Sequence, residues 1–421
     1  MMETESPADD KIRSCPDCGL LNALPVCSSG MAVICARCHG VLTRSRHHSF
    51  DYIIACAMAA FVFCLILVTA PFIHIVLYGR FQNSTLWTGL HVFDQERLLP
   101  LASVVLFTAL LMPLVKLALI NIVLIGARMK NPPHYLPTLY RFVRHTAHWA
   151  MLEVYLLGFL VAYTRLKAMA YVQVDTALYA LCGAIVLSAT VDASLDSEEI
   201  WEMLKLKCGG AKAEKEAENK TDSLLGCHSC FYPSATPPGD KCPRCGATVH
   251  PRKPDSLAHT WAYMLGALIF YIPANVFPIM NTTMLGSTSS HTIIGGMMEF
   301  VHAGFLPLAL LIFVASIAVP LLKLVSLFYM LIATHSGSAN NLIVRMRLYR
   351  IIRFIGRWSM VDVFMLSIMV ALIQFGQLAR ITSGIGAACF AAVVVLTMLA
   401  VESFDTRVMW DRAEKNGVNE A

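Results

Sequence analysis

Long stretches of this chain hold almost no charge, and nothing else in the sequence limits the fold as much. The runs Ile53 to Leu77, Leu98 to Ile125, Leu265 to Met280, Phe305 to Ile332, Val363 to Phe375 and Ile385 to Val401 are apolar nearly throughout. At about 1.5 Å per helical residue, about 20 such residues cross the hydrocarbon core of a bilayer. Of the 421 residues, 57% are hydrophobic and only 14% charged, against about 25% charged in soluble domains. That is more apolar surface than a water-exposed globule can hide. The expected fold is an all-α integral membrane protein with eight spans, the third and seventh carrying Glu153 and Asp362. A polar, acidic N-terminus and a cysteine cluster ahead of the first apolar run speak against a cleavable signal peptide.

A net charge of +5 is too small to argue for nucleic acid. The placement of the basic residues says more. Arg128, Lys130, Arg141 and Arg144 follow the second span, and Arg345, Arg347, Arg350, Arg353 and Arg357 follow the sixth, whereas Asn281 to Gly304 has no Lys or Arg. The positive-inside rule then puts the Arg-rich loops, both termini and the central linker in the cytoplasm. Arg350, Arg353 and Arg357 share a helical face, which reads as a basic amphipathic helix on an anionic leaflet.

The chain is also a duplication. Met112-Pro-Leu-Val-Lys116-Leu recurs as Val319-Pro-Leu-Leu-Lys323-Leu, and His148-Trp-Ala-Met-Leu-Glu153-Val-Tyr as Arg357-Trp-Ser-Met-Val-Asp362-Val-Phe. Ser194-Leu-Asp196 with Trp201 recurs as Ser403-Phe-Asp405 with Trp410, all three in order and at nearly one offset. An internal repeat of this kind predicts two tandem four-helix modules of like orientation, related by a pseudo-twofold along the membrane normal. The expected divisions are a cysteine knuckle at 1–48, a module at 49–208, a solvated linker at 209–226, a second knuckle at 227–256, a second module at 257–411 and a tail at 412–421.

Each module is preceded by two C-x-x-C pairs: Cys15, Cys18, Cys35 and Cys38, then Cys227, Cys230, Cys242 and Cys245. Two such hairpins bring four thiolates around one tetrahedral ion, which suits Zn²⁺ in a closed, structural site. Gly19 and Gly246 fit the tight turn that follows a hairpin. A reducing compartment keeps such thiols free of disulfides. A rubredoxin-like iron site and a redox dithiol remain open alternatives. Cys56, Cys64, Cys182 and Cys389 lie in apolar runs and read as small buried hydrophobes.

Ionisable groups at membrane depth are costly and tend to be functional. Lys116 and Lys323 sit near mid-depth, three residues after Pro113 and Pro320, which can kink their helices. Lys116 with Glu153 and Lys323 with Asp362 are the expected buried pairs, with Ser316 and Thr397 extending the second network. Such a network either holds four helices together or handles a proton during transport. No G-x-x-x-x-G-K-[ST], H-E-x-x-H or G-x-S-x-G occurs, so neither a nucleotide site nor an enzyme is expected.

The motif Gly356 to Asp362 (G-R-W-S-M-V-D), Pro273 to Ile279 (P-A-N-V-F-P-I) and Ser403 to Asp411, with both knuckles, resemble the paraquat-inducible protein A (PqiA) family, and within it the LetA branch. The resemblance covers the whole chain. It implies an inner-membrane subunit of a Gram-negative lipid-transport system that passes phospholipid to or from a periplasmic MCE-domain tunnel protein. It also implies that Ser316, Lys323, Asp362 and Thr397 form the functional core. Lys116 departs from the family pattern, which leaves the role of the first module open.

Overall fold

The structure is a computed structural model of the whole chain. It describes residues 11–25, 31–44, 49–77, 80–84, 103–130, 132–167, 171–208, 224–284, 287–302, 304, 306–372 and 379–419. Most of the expected linker at 209–226 and of the loop after Phe81 lies outside the described residues.

Each four-cysteine region folds as small hairpins; in the second, β8 (Leu225–Gly226) pairs with β9 (Pro233–Ser234) and Lys241 bridges to Thr248. In the first, β1 (Lys11–Ser14) pairs with β2 (Leu21–Leu24) and β3 (Ala32–Ile34) with β4 (Val41–Arg44). The turns close locally: Gly19 N–H donates to Cys15 O and Cys15 N–H to Leu20 O, at 3.0 and 2.9 Å. Left-handed backbone follows every C-x-x-C pair, at Gly19, His39, Phe231 and Gly246. The expectation for Gly19 and Gly246 holds, while His39 and Phe231 take the same conformation without being glycine.

The first membrane module contains α1 (Phe50–Thr69), α2 (Met112–Arg128), α3 (Leu136–Thr146), α4 (Leu152–Lys167), α5 (Thr176–Ser194) and α6 (Ser197–Cys208). The second contains α7 (Ser256–Val276), α8 (Ile293–His302), α9 (Leu306–Phe313), α10 (Val319–His335), α11 (Leu342–Ile355), α12 (Val361–Leu372), α13 (Ile385–Ser403) and α14 (Thr406–Asn419). Among the described residues, seven helices are long and apolar enough to cross a membrane, and Leu152–Thr164 is apolar but shorter. Eight full spans are therefore not confirmed. The 16 residues of α4 reach about 24 Å, short of the roughly 30 Å core. Its counterpart α12 has 12 residues and counts as long only because α11 runs into it through the 3-10 turn Gly356–Met360.

Two apolar runs also end sooner as helices than their composition predicts. After Ala70 closes α1, Pro71 cannot continue the helix. Ile73 to Leu77 then forms β5, where β-branched residues suit an extended backbone. Likewise α7 closes at Phe277 and Pro278 follows, so Met280 begins β10 (Met280–Met284). Strand β5 lies between β6 (Arg80–Ser84) and β7 (Tyr171–Val174), and β10 lies between β11 (Ser287–His291) and β12 (Ala379–Ser383). Both sheets are antiparallel and built from a hairpin after the first helix plus the strand that enters the fourth. The duplication is thus visible in three dimensions.

In each module the first helix packs along the fourth, α1 on α5 and α7 on α13. Small residues mark these faces: Ala57, Ala60, Ala177, Ala184, Ala267 and Ala387 are buried. Small residues let helix backbones approach where lipid offers no hydrophobic drive. The outward side chains are the reverse of a soluble protein's, with Ile269, Ile272, Leu306 and Val325 well exposed. Hydrocarbon is the solvent such a surface fits. The two modules meet along α4 and α12, where Gly158 lies so close to Phe364 that an added Cβ would stand 2.8 Å from the Phe364 Cβ. Tyr155 meets the Phe364 ring edge-on at 5.6 Å.

Candidate functional site

Both four-cysteine sets are buried, and within each set the four Sγ atoms all lie within 4.8 Å of one another. Cys15 to Cys38 and Cys18 to Cys35 are 3.5 Å apart, Cys227 to Cys245 is 3.6 Å and Cys230 to Cys242 is 3.7 Å. Thiolates at about 2.3 Å around a tetrahedral ion stand about 3.8 Å from one another. All eight thiols are free of disulfides. The donor set therefore fits a four-coordinate metal ion. Hydrogen bonds from the neighbouring thiols hold Cys38 and Cys227 well below the usual thiol range, while Cys15 is pushed up to about 12.

The ribbons are exchanged between the modules. Arg37, in the second C-x-x-C pair of the first ribbon, pairs with Glu414 and lies 4.5 Å over the Trp410 ring of the second module. Arg244, at the same place in the second ribbon, reaches Glu198 at 2.6 Å and lies 5.9 Å from the Trp201 ring of the first module. Trp201 and Trp410 are repeat equivalents. Arg144 on α3 adds a bond from the first module to Ser229 O at 3.1 Å, and Ser14 N–H donates to Phe231 O at 3.2 Å, which joins the two ribbons to each other. The basic face expected to lie on a leaflet also has another use, because Arg350 donates from Nε and Nη2 to Asp17 Oδ2 of the first ribbon, at 2.9 and 2.6 Å.

The buried lysines differ between the copies. A π-helical turn precedes each proline, Leu106–Leu111 before Pro113 and Val314–Ala318 before Pro320, shortly upstream of each lysine. Lys116 does not pair with Glu153, which is exposed; its Nζ meets Asp192 Oδ2 on α5 at 2.6 Å. The reason is geometric: Asp192 lies near the end of α5, opposite Lys116, whereas Glu153 turns outward at the start of α4.

Lys323 is 1% exposed. It donates to Gly356 O at 2.9 Å, Ser359 Oγ at 2.8 Å and Thr397 Oγ1 at 3.4 Å. The expected pair with Asp362 is not formed. The 3-10 turn presents Gly356 and Ser359 to the amine, with Asp362 one turn farther along. Gly356 allows this approach, since an added Cβ would stand 3.2 Å from Lys323 Cε. Asp362 and Ser316 line a separate cavity of about 50 Å³. Met280 and His291 of the β10–β12 sheet, with Ile293 and Phe390, are among its other walls. Ser316 donates to Ile312 O at 2.7 Å. The structure thus joins Lys323 with Thr397 and places Asp362 with Ser316 in the adjoining cavity.

Sequence reasoning missed Asp192, Gly356 and Ser359. Aligning the copies exposes the signal: Val401 stands where the first copy has Asp192, while Ser359 replaces Ala150 and Gly356 replaces Ala147. One lysine meets a carboxylate and the other meets neutral oxygens. Asn275, within the Pro273 to Ile279 motif, donates to Tyr271 O at 2.8 Å and so serves its own helix backbone.

A family model described as Paraquat-inducible protein A matches residues 50–205 and 257–414. The chain is 30% identical over 410 residues to the Lipophilic envelope-spanning tunnel protein A of Escherichia coli K12, covering 97% of this chain and 93% of that one. It is 32% identical over 405 residues to the Intermembrane transport protein PqiA of the same organism, covering 94% and 95%. A Probable intermembrane transport protein of Haemophilus influenzae is 26% identical over 408 residues, covering 95% and 96%. No solved structure matches the chain.

Proposed function

The chain belongs to the paraquat-inducible protein A family, and from that premise we propose that it is the inner-membrane subunit of a lipid-transport system. In this reading it moves phospholipid to or from a periplasmic MCE-domain tunnel protein. The names of its relatives, envelope-spanning tunnel protein and intermembrane transport protein, support transport between membranes. Both ribbons and both termini face the cytoplasm, in keeping with the arginines at that end of the helices. The two four-cysteine sites hold Zn²⁺ in a structural role, supplying a closed tetrahedral centre that sets each ribbon's fold.

The observation that carries a working role is Lys323 itself, buried and surrounded by neutral oxygens, where Lys116 has a carboxylate. A buried charge without a counter-charge is costly. The amine can relieve that cost by losing its proton or by meeting Asp362, one turn beyond Ser359. Asp362 and Ser316 line the cavity toward the sheet, while Lys323 lies toward the ribbons. The second module then carries the moving proton, and the first, with its Lys116–Asp192 pair, is structural. The energy comes from the proton motive force, which a chain without a nucleotide motif can use directly.

The test is phospholipid transfer in proteoliposomes with the partner tunnel protein, with and without an imposed proton gradient. Transfer that collapses with an ionophore supports coupling, and unchanged transfer removes it. A scaffold that only anchors the tunnel is the alternative reading, favoured by the structural form of the first module's ion pair. A scaffold would retain transfer when Lys323 is replaced by methionine.

A further inference from the structure

The first ribbon reaches the Lys323 cage from two sides. On one side Arg350 clasps Asp17 Oδ2 and also donates from Nη2 to Cys38 O and Cys38 Sγ, at 3.2 and 3.3 Å. Arg350 lies on α11, six residues before Gly356, or about 9 Å along the helix axis. The helical bonding continues unbroken, since Gly356 N–H donates to Ile352 O. Gly356 O and Ser359 Oγ then take two of the three Lys323 bonds. On the other side Thr406 Oγ1 donates to Asp17 O at 2.7 Å. Thr406 begins α14, directly after α13, which supplies Thr397 to the third Lys323 bond.

The contact is tight and charged. A Cβ added at Gly40, beside the first cysteine set, would stand 2.6 Å from Arg350 Nη2. Four thiolates on a divalent ion leave the cluster net negative, and a guanidinium bonded to Cys38 Sγ complements that charge. In the other copy Arg144, the repeat equivalent of Arg353, meets the Ser229 carbonyl of the second ribbon and lies 4.9 Å from the Phe231 ring.

We propose that the metal-loaded first ribbon is a latch, with Arg350 as its positioning residue, that holds the Lys323 cage of the other module in shape. The inference deepens the transport reading and rests on it only for the importance of Lys323.

Its test is hydrogen exchange on the zinc-loaded full chain in lipid nanodiscs. With Arg350→Ala and both zinc ions retained, amide exchange over residues 356–362 should accelerate at least about fivefold. Exchange in Phe50–Thr69 should stay unchanged. Arg350→Lys should recover part of the protection, keeping charge but not the two-pronged bond. The pair Cys35→Ser and Cys38→Ser, which removes the first ion alone, should reproduce the Arg350→Ala pattern. If Arg350→Ala does not fold, Asp17→Asn, which weakens the same bond, replaces it. Unchanged protection over 356–362 in these variants overturns the latch, and so does an equal rise in Phe50–Thr69. None of these readouts needs lipid transfer, so failure of the latch and failure of the transport role are separate results.

Discussion

Replacing Lys323 by methionine separates a working lysine from a structural one. Methionine keeps nearly the length of the side chain and fills irregular space well. The cage oxygens lose a donor but are not left bare: Ser359 Oγ still donates to Gly356 O, and Thr397 Oγ1 to Val394 O, each at 2.9 Å. Bonds to a charged group contribute about 1.5–3 kcal/mol each. Two good bonds and one long one therefore amount to about 4–6 kcal/mol. Against this stands the cost of keeping an ammonium out of water with no carboxylate beside it, several kcal/mol as well. The two nearly cancel, and the expected change in stability is within about 2 kcal/mol of zero. Phospholipid transfer should nevertheless fall about tenfold or more, the equivalent of about 1.4 kcal/mol on the limiting barrier. The assay pairs denaturant unfolding in micelles with transfer of a fluorescent phospholipid between vesicles. Lys116→Met is the control. Its partner Asp192 is 49% exposed, so that pair contributes only about 0–1 kcal/mol, and transfer should persist. Full transfer by Lys323→Met refutes the reasoning. So does a loss of more than about 3 kcal/mol, the signature of a structural buried charge.

Three further outcomes follow from the packing, the thiols and a buried carboxylate. Gly158→Leu should destabilise the chain by about 1–3 kcal/mol, because the added side chain must displace Phe364 between the modules; an unchanged melting temperature contradicts that packing. Elemental analysis should find two metal ions per chain, and one after Cys230→Ser with Cys242→Ser; red colour and visible absorption would mean iron instead of zinc. Burial alone would raise the Asp405 carboxyl, but bonds from Arg407 and the Lys253 N–H outweigh it and hold it below the usual range. Its stabilisation is present above the unfolded value of about 3.9 and lost as pH falls through the lower folded value. The stability difference between wild type and Asp405→Asn should therefore shrink below about pH 4, and a constant difference would contradict it.

The site was legible in the sequence where chemistry is local. A C-x-x-C pair closes on itself within a few residues, so the four-cysteine sets needed no knowledge of the rest of the chain. The lysines were equally plain, since a charge inside an apolar run stands out whatever surrounds it. Their partners were not. Glu153 and Asp362 drew attention because they sit at matching places in the repeat, yet Lys116 meets Asp192. Lys323 meets a carbonyl and two hydroxyls. Reach across a bundle depends on helix rotation and on the π-helical turns before Pro113 and Pro320, and no spacing rule encodes those.

By itself the sequence determined the solvent of this protein, its duplication and the metal-binding character of its cysteines. Those properties follow from runs, periods and short spacings, which are sums over neighbouring residues. The tertiary structure alone decided that each ribbon seats its arginine on the other module's tryptophan, and that one lysine is paired while its twin is caged. Both depend on which distant surfaces come within a few ångströms. There a single side chain, such as Val401 in place of a second Asp192, changes the electrostatics of the site without altering the pattern that builds the helix.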